Sequence, residues 1–219
     1  MEPDAVEIRV LGCLIEKQRT TPDVYPLTLN ALRLACNQST NRDPVVDYDD
    51  NTIRTGIDRL VQRKWATLAS WSNRRSMKYR HKLDGALGLG DAEIAVLTVL
   101  MLRGPQTPGE LKARTERLHR FGDMDELGAA LDGLGGRGLV RRLERRPGQR
   151  EERYMQLLGE GVEEAPVAAA SAPAVAAAPA PTAAASPAGG DAEQRLERVE
   201  RQIDELRDQI KALREELGA

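Results

Sequence analysis

Apolar residues in the first 158 positions recur at helical spacing in two sets of three blocks, and each set ends in a shorter, alternating stretch. Val6, Ile8, Val10, Leu11, Cys13, Leu14 and Ile15 crowd the first block, and Ile94, Val96, Leu97, Val99, Leu100, Met101 and Leu102 the fourth. A helix that is apolar nearly all round must be covered on more than one side. Each is therefore either a buried core helix or part of an interface, between the two halves or between two chains. The third block sets Ile53, Ile57, Leu60 and Val61 at i, i+4, i+7 and i+8 behind Asp49 or Asp50, either a good N-cap. The pattern predicts helices over residues 4–18, 26–37 and 50–64 with strands near 66–71 and 77–83. It then predicts helices over 91–103, 108–118 and 123–136 with strands near 139–144 and 151–157.

The two sets are copies of one another. Glu7-Ile8-Arg9-Val10-Leu11 returns as Glu93-Ile94-Ala95-Val96-Leu97, and Thr21-Pro22 returns as Thr107-Pro108. Ile53, Ile57, Asp58, Leu60, Arg63 and Trp65 correspond to Leu127, Leu131, Asp132, Leu134, Arg137 and Leu139 at a constant offset of 74. Three helices followed by a basic hairpin is the winged-helix arrangement, a helix-turn-helix variant. The expected fold is mainly α with small β-wings (α+β). Two tandem winged-helix domains, residues 1–86 and 87–158, come first, followed by an Ala/Pro-rich linker and a C-terminal coiled coil.

The linker is predicted over 159–190. Residues 165–190 hold 14 Ala and 5 Pro among 26, and the prolines interrupt every run that alanine would make helical, so the segment reads as a disordered, extended spacer. Beyond it, residues 191–219 place Leu196, Val199, Ile203, Leu206, Ile210, Leu213 and Leu217 at alternating steps of three and four. β-Branched residues at a and leucine at d favour a parallel pair of helices, so these seven residues are expected to join a homodimer. A lone amphipathic helix folded back on the globular part is the other reading.

Composition narrows the field. Aromatic residues make up 3% of the chain, too few for a stacking platform for single strands. No run is long and apolar enough to span a membrane, and the acidic start Met1-Glu2-Pro3-Asp4 is unlike a signal peptide, so a cytoplasmic protein is expected. Cys13 and Cys36 have no CxxC or CxxH partner and read as reduced core thiols, so neither metal nor cofactor is expected. The histidines, His81 and His119, lie near no cysteine or serine nucleophile with an orienting carboxylate, and an enzyme ranks last among the functions considered.

Charge points elsewhere. The net charge of -2 averages an acidic C-terminal part with a basic stretch, residues 49–83, whose nine Lys and Arg against three Asp give +6. The solvent face of the third helix carries Thr55, Asp58, Arg59 and Gln62, flanked by Arg54 and Arg63; Arg, Gln and Thr reach base edges and phosphates, and Asp58 counts against this unless it pairs with Arg54 or accepts from a cytosine amino group. The hairpin adds Arg74, Arg75, Lys78, Arg80 and Lys82, suited to neutralising phosphates. In the second copy the third helix exposes Ala129, Asp132, Gly133 and Gly136, a poor base reader, although Arg141, Arg142, Arg145 and Arg146 can still grip a backbone. Duplex DNA is the expected partner, with transcription regulation as the matching role. The alternative is a protein-interaction scaffold without catalytic activity.

Several runs closely resemble the YceH family of bacterial proteins. They are Arg9 to Lys17, Thr20 to Leu27, Ala35-Cys36-Asn37-Gln38, Asn41 to Val45, and Leu102 to Leu111. The likeness covers residues 4 to about 158. It implies two winged-helix domains in a bacterial cytosolic protein with a variable C-terminal extension, and it implies no biochemical function. Where that family usually has a cation after Cys-Asn-Gln, this chain has Ser39. The polar loop from Asn37 to Pro44 reads first as capping and loop-forming hydrogen bonds between helices, and second as a ligand or partner site.

Overall fold

The computed structural model describes residues 2–69, 77–145 and 151–159. The chain divides into two compact units, Met1–Val167 and Ala168–Ala219, and every described residue belongs to the first. The linker from residue 160 and the seam residues Leu196, Val199, Ile203, Leu206, Ile210, Leu213 and Leu217 lie outside the described residues, as do Arg74, Arg75 and Arg146.

The unit is mainly helical with small antiparallel sheets. The first half contains α1 (Ala5–Thr20), α2 (Leu29–Cys36), α3 (Asp50–Gln62) and the strands β1 (Leu27–Thr28), β2 (Ala66–Ala69) and β3 (Lys78–His81). A short helix, α4 (Leu83–Leu87), leads into α5 (Asp91–Arg103), α6 (Pro108–Thr115), α7 (Met124–Gly136), β4 (Val140–Leu143) and β5 (Arg153–Gln156). The order of helices and hairpins expected from the apolar pattern is the order found. Three elements were not expected, the first a single 3-10 turn over Pro22–Val24. β1 adds to the first hairpin in the order β1-β3-β2, with Leu27 opposite Tyr79, and α4 fills the connection between halves. Leu27–Thr28 is too short to carry a period, and α2 accordingly starts three residues later than expected, at a Thr28 cap that accepts from the Ala31 N–H at 3.2 Å.

Capping explains most of the helix starts, and it repeats. Asp49 accepts from the Thr52 N–H and its counterpart Asp123 from the Glu126 N–H, each at 2.8 Å. At α1 the N-cap Asp4 and Glu7 satisfy each other's backbone N–H groups in a capping box. At α5 the N-cap is Gly90, so only the return bond from its N–H to Glu93 remains, at 2.9 Å. After the third helix of each half the chain turns through a left-handed residue, Lys64 (φ 63) and then Gly138 (φ 67). This sends the Trp65 and Leu139 N–H groups back to the Leu60 and Leu134 carbonyls at 3.0 and 2.9 Å.

The core runs continuously through both halves because α1 packs against α5. The two apolar helices thus cover each other within one chain, and every residue of α5 from Ile94 to Leu102 is buried. Gly12 makes the approach possible: a Cβ there would lie 2.9 Å from Leu102 Cδ2 and 3.3 Å from Met101 Cβ.

Candidate functional site

The polar loop between α2 and α3 is occupied with holding the fold. Arg42, its side chain fully buried, donates to both Glu16 oxygens at 3.1 and 2.7 Å, to Gln38 Oε1 at 2.8 Å and to the Ala35 and Asn41 carbonyls. Burial alone would raise the Glu16 carboxyl, but the Arg42 guanidinium holds it below its ordinary value. Arg9 donates to the Pro44 carbonyl at 2.6 Å. The Asn37 amide brackets Tyr48, donating to its carbonyl at 2.8 Å and accepting from its N–H at 2.9 Å. The Asp43 N–H donates to the Leu102 carbonyl at 2.8 Å and Arg103 donates to Asn41, so the loop ties α1 and α2 to the end of α5. These bonds match the first of the two readings of the loop.

The surface of α3 divides into three strips. One flank faces α1, where Gly56 lies under Val6 and Arg63 Nε donates to Glu7 Oε1 at 2.8 Å and its Nη2 to the Glu2 carbonyl at 3.0 Å. Arg59, half exposed, reaches Asp4 at 2.6 Å over a shallow cleft also lined by Asp49, Asn51 and Thr55. The other flank carries Arg54, exposed and without a hydrogen bond or ion pair to any described residue. Between them lies a fully exposed strip of Asn51, Thr55, Asp58 and Gln62 whose side chains also have no such partner. Asn51 was absent from the expected set. Its signal was its place one helical turn before Thr55.

On β3, Lys78 and Arg80 alternate with buried Tyr79 and His81, so both cations point to the face away from the core. Arg80 and the following Lys82 are exposed and unpaired to described residues. In the second hairpin Arg142 pairs with Glu152 at 3.1 Å and Arg141 reaches Met155 Sδ at 3.6 Å, while Arg145 is exposed. The face of α7 exposes Asp125, Ala129, Asp132, Gly133 and Gly136.

Of the remaining reactive side chains, His119 lies at the surface with Nε2 3.1 Å from Glu126 Oε1, and Cys13, Cys36 and His81 are enclosed. Cys13 and Cys36 are free and buried, and contact with Cys13 together with burial pushes the Cys36 thiol well up. His81 Nε2 meets Gln18 Oε1, and burial pulls the His81 imidazole down to about 4. Among the described residues no group of three or more His, Cys, Asp or Glu is placed to hold a metal ion, and no helix is long and apolar enough to cross a membrane.

These features define a class: a small, mainly helical protein in which one motif recurs and, of the two third helices, α3 is polar and cationic and α7 is not. The family model described as "Protein of unknown function, DUF480" matches residues 4–149. The chain belongs to this family, whose curated members are called UPF0502 proteins. It is similar to the UPF0502 protein of Serratia proteamaculans, 46% identical over 176 residues that cover 77% of this chain and 82% of the relative. The UPF0502 protein of Opitutus terrae is 48% identical over 171 residues, 77% of this chain and 74% of the relative. The UPF0502 protein YceH of Salmonella newport is 40% identical over 224 residues, 99% of this chain and 98% of the relative.

Proposed function

We propose that the protein binds duplex DNA through α3 and the β2–β3 hairpin, as the first of two tandem winged-helix units, and regulates transcription. The observation that carries this reading is uncommitted positive charge on the third helix of one half only. Arg54 of α3 and Arg80 and Lys82 of the neighbouring hairpin are exposed and unpaired to described residues, whereas α7 has Gly128 at the position of Arg54 and no Lys or Arg along its length. Cations left without partners on one helix and its neighbouring hairpin suit a phosphate backbone. In this reading Arg141, Arg142 and Arg145 of the second hairpin clamp the backbone at a second point. The protein acts in the cytoplasm as a homodimer joined through its heptad residues, with no catalytic step.

The test is fluorescence anisotropy of a labelled random duplex titrated with the full chain at several salt concentrations. The expected result is micromolar binding with a log-log salt slope of about -4 or steeper. Reversing charge at Arg54 and Arg80 together flattens that slope. Absence of binding at low salt removes the reading. A second reading, a protein-binding scaffold, is favoured by the small, acidic face of α7, which has the size for close approach and the wrong charge for DNA.

A further inference from the structure

The two halves carry the same helix in two chemical states, and the polar and charged differences lie on the solvent face. At an offset of 74, the strip Asn51, Thr55, Asp58 and Gln62 of α3 becomes Asp125, Ala129, Asp132 and Gly136 of α7. The flanking Arg54 and Arg59 become Gly128 and Gly133. The buried positions stay apolar in both: Ile53, Ile57 and Leu60 against Leu127, Leu131 and Leu134. Folding does not demand the change at Gly128 or Gly136, where a Cβ would meet nothing within 4 Å, whereas one at Gly133 would lie 3.2 Å from Glu93 Oε1. The scaffold thus holds either face, and only α3 bears amides flanked by guanidinium groups.

The strip fits a reading task. Steps of four, three and four keep the four side chains in one line along about 16 Å of helix, matching about five base pairs. A duplex major groove admits a helix of this width, and beside arginine with guanine the pairings that discriminate there include an Asn or Gln amide with adenine and a carboxylate with the cytosine amino group. Arg54 and Arg59 lie on opposite sides of the strip, where the two phosphate strands border a groove. The Arg59–Asp4 pair is half exposed, so a phosphate can replace Asp4 at little cost. Asp58 is shared with α7 as Asp132 and differs in its setting, since in α3 it lies between two arginines. Against a duplex such a carboxylate is repelled by phosphates and gains where it accepts from a base.

We infer that Asn51, Thr55, Asp58 and Gln62 read base edges in duplex DNA, with Asn51 and Gln62 selecting adenine and Asp58 selecting cytosine between them, while Arg54 and Arg59 hold the flanking phosphates. The inference rests on the DNA-binding reading and adds a sequence preference to it.

The experiment is selection of bound sequences from a randomised duplex pool by the full chain, alongside its affinity for a random duplex. The expected motif has adenine toward each end and cytosine between. Asn51→Ala and Gln62→Ala each weaken one adenine preference roughly tenfold and leave random-duplex affinity within about twofold. Asp58→Asn moves the central preference from cytosine to adenine, a gain that loss of folding cannot mimic. All three positions are exposed, and unchanged melting temperatures check the fold. Random-duplex binding without an enriched motif, or a motif unaltered in the three variants, overturns this inference and leaves the DNA-binding reading standing. No duplex binding at any salt overturns both.

Discussion

Arg63 donates from Nε to Glu7 Oε1 at 2.8 Å, and in the second half the corresponding pair is looser, with Arg137 Nη1 3.6 Å from Glu93 Oε1. The correspondence extends to the atoms around them. Glu7 and Glu93 each use the other carboxylate oxygen to accept from the N-cap N–H of their helix, and Arg63 and Arg137 each also donate to a carbonyl two residues before that cap, Glu2 and Gly88. One glutamate thus starts the first helix of each half and anchors the last. The two pairs differ in burial: the Glu7 side chain is 2% exposed, the Glu93 side chain 21%.

That difference predicts unequal effects of the same substitution. Arg63→Ala leaves a buried carboxylate unpaired and is expected to lower stability by about 3 kcal/mol, whereas Arg137→Ala costs less than about 1 kcal/mol. Urea unfolding of the two variants measures both. Equal losses would show that Glu7 finds another partner.

Lys64 and Gly138 occupy the same left-handed turn, where a side chain is disfavoured. Lys64→Gly is expected to stabilise by about 0.5 to 1 kcal/mol, and Gly138→Ala to destabilise by a similar amount. Opposite shifts in thermal midpoint are the signature, and a lower midpoint for Lys64→Gly counts against strain at that turn.

Arg42 satisfies the loop and Glu16 together, with its own side chain fully buried. Arg42→Met keeps the apolar stem and removes the charge. It is expected to cost about 2 kcal/mol, because the Ala35 carbonyl loses its donor and Glu16 keeps only Lys17, at 3.2 Å. Amide exchange should rise in residues 37–44 before it rises in α5, whose own hydrogen bonds are intact.

His81 makes stability depend on pH. Burial lowers its folded value to about 4 from an ordinary 6.5, so between these values the unfolded chain binds a proton that the fold refuses. The contribution is complete above pH 6.5 and is lost as pH falls toward 4, amounting to about 2 kcal/mol between pH 7.5 and 5. Unfolding free energies of the wild type and His81→Gln at those two pH values test this. The variant should lack that part of the acid loss, and identical losses would remove His81 as its source.

Much of this was legible along the chain. The duplication, an Asp49 or Asp50 cap for α3 and the apolar lines of the third helices all rest on short-range signals, and those two helices lie where the signals put them, although the cap Asp123 falls inside the span expected to be helical. The division of labour among arginines was not legible. Arg54, Arg59 and Arg63 look alike in sequence. They separate only because Asp4 and Glu7, more than 50 positions away, are brought against one side of α3. The role of Gly12 was hidden for the same reason, since its neighbour is a helix some 90 residues further on.

The sequence by itself therefore determined the family, the helical order and the two-copy plan, because spacing, caps and apolar periods act within a few residues. The tertiary structure decided which polar side chains are committed. Commitment is a matter of distance and burial between remote segments: it binds Arg63 to Glu7 and Arg42 to Glu16, and it leaves Asn51, Asp58 and Gln62 facing outward without partners among the described residues.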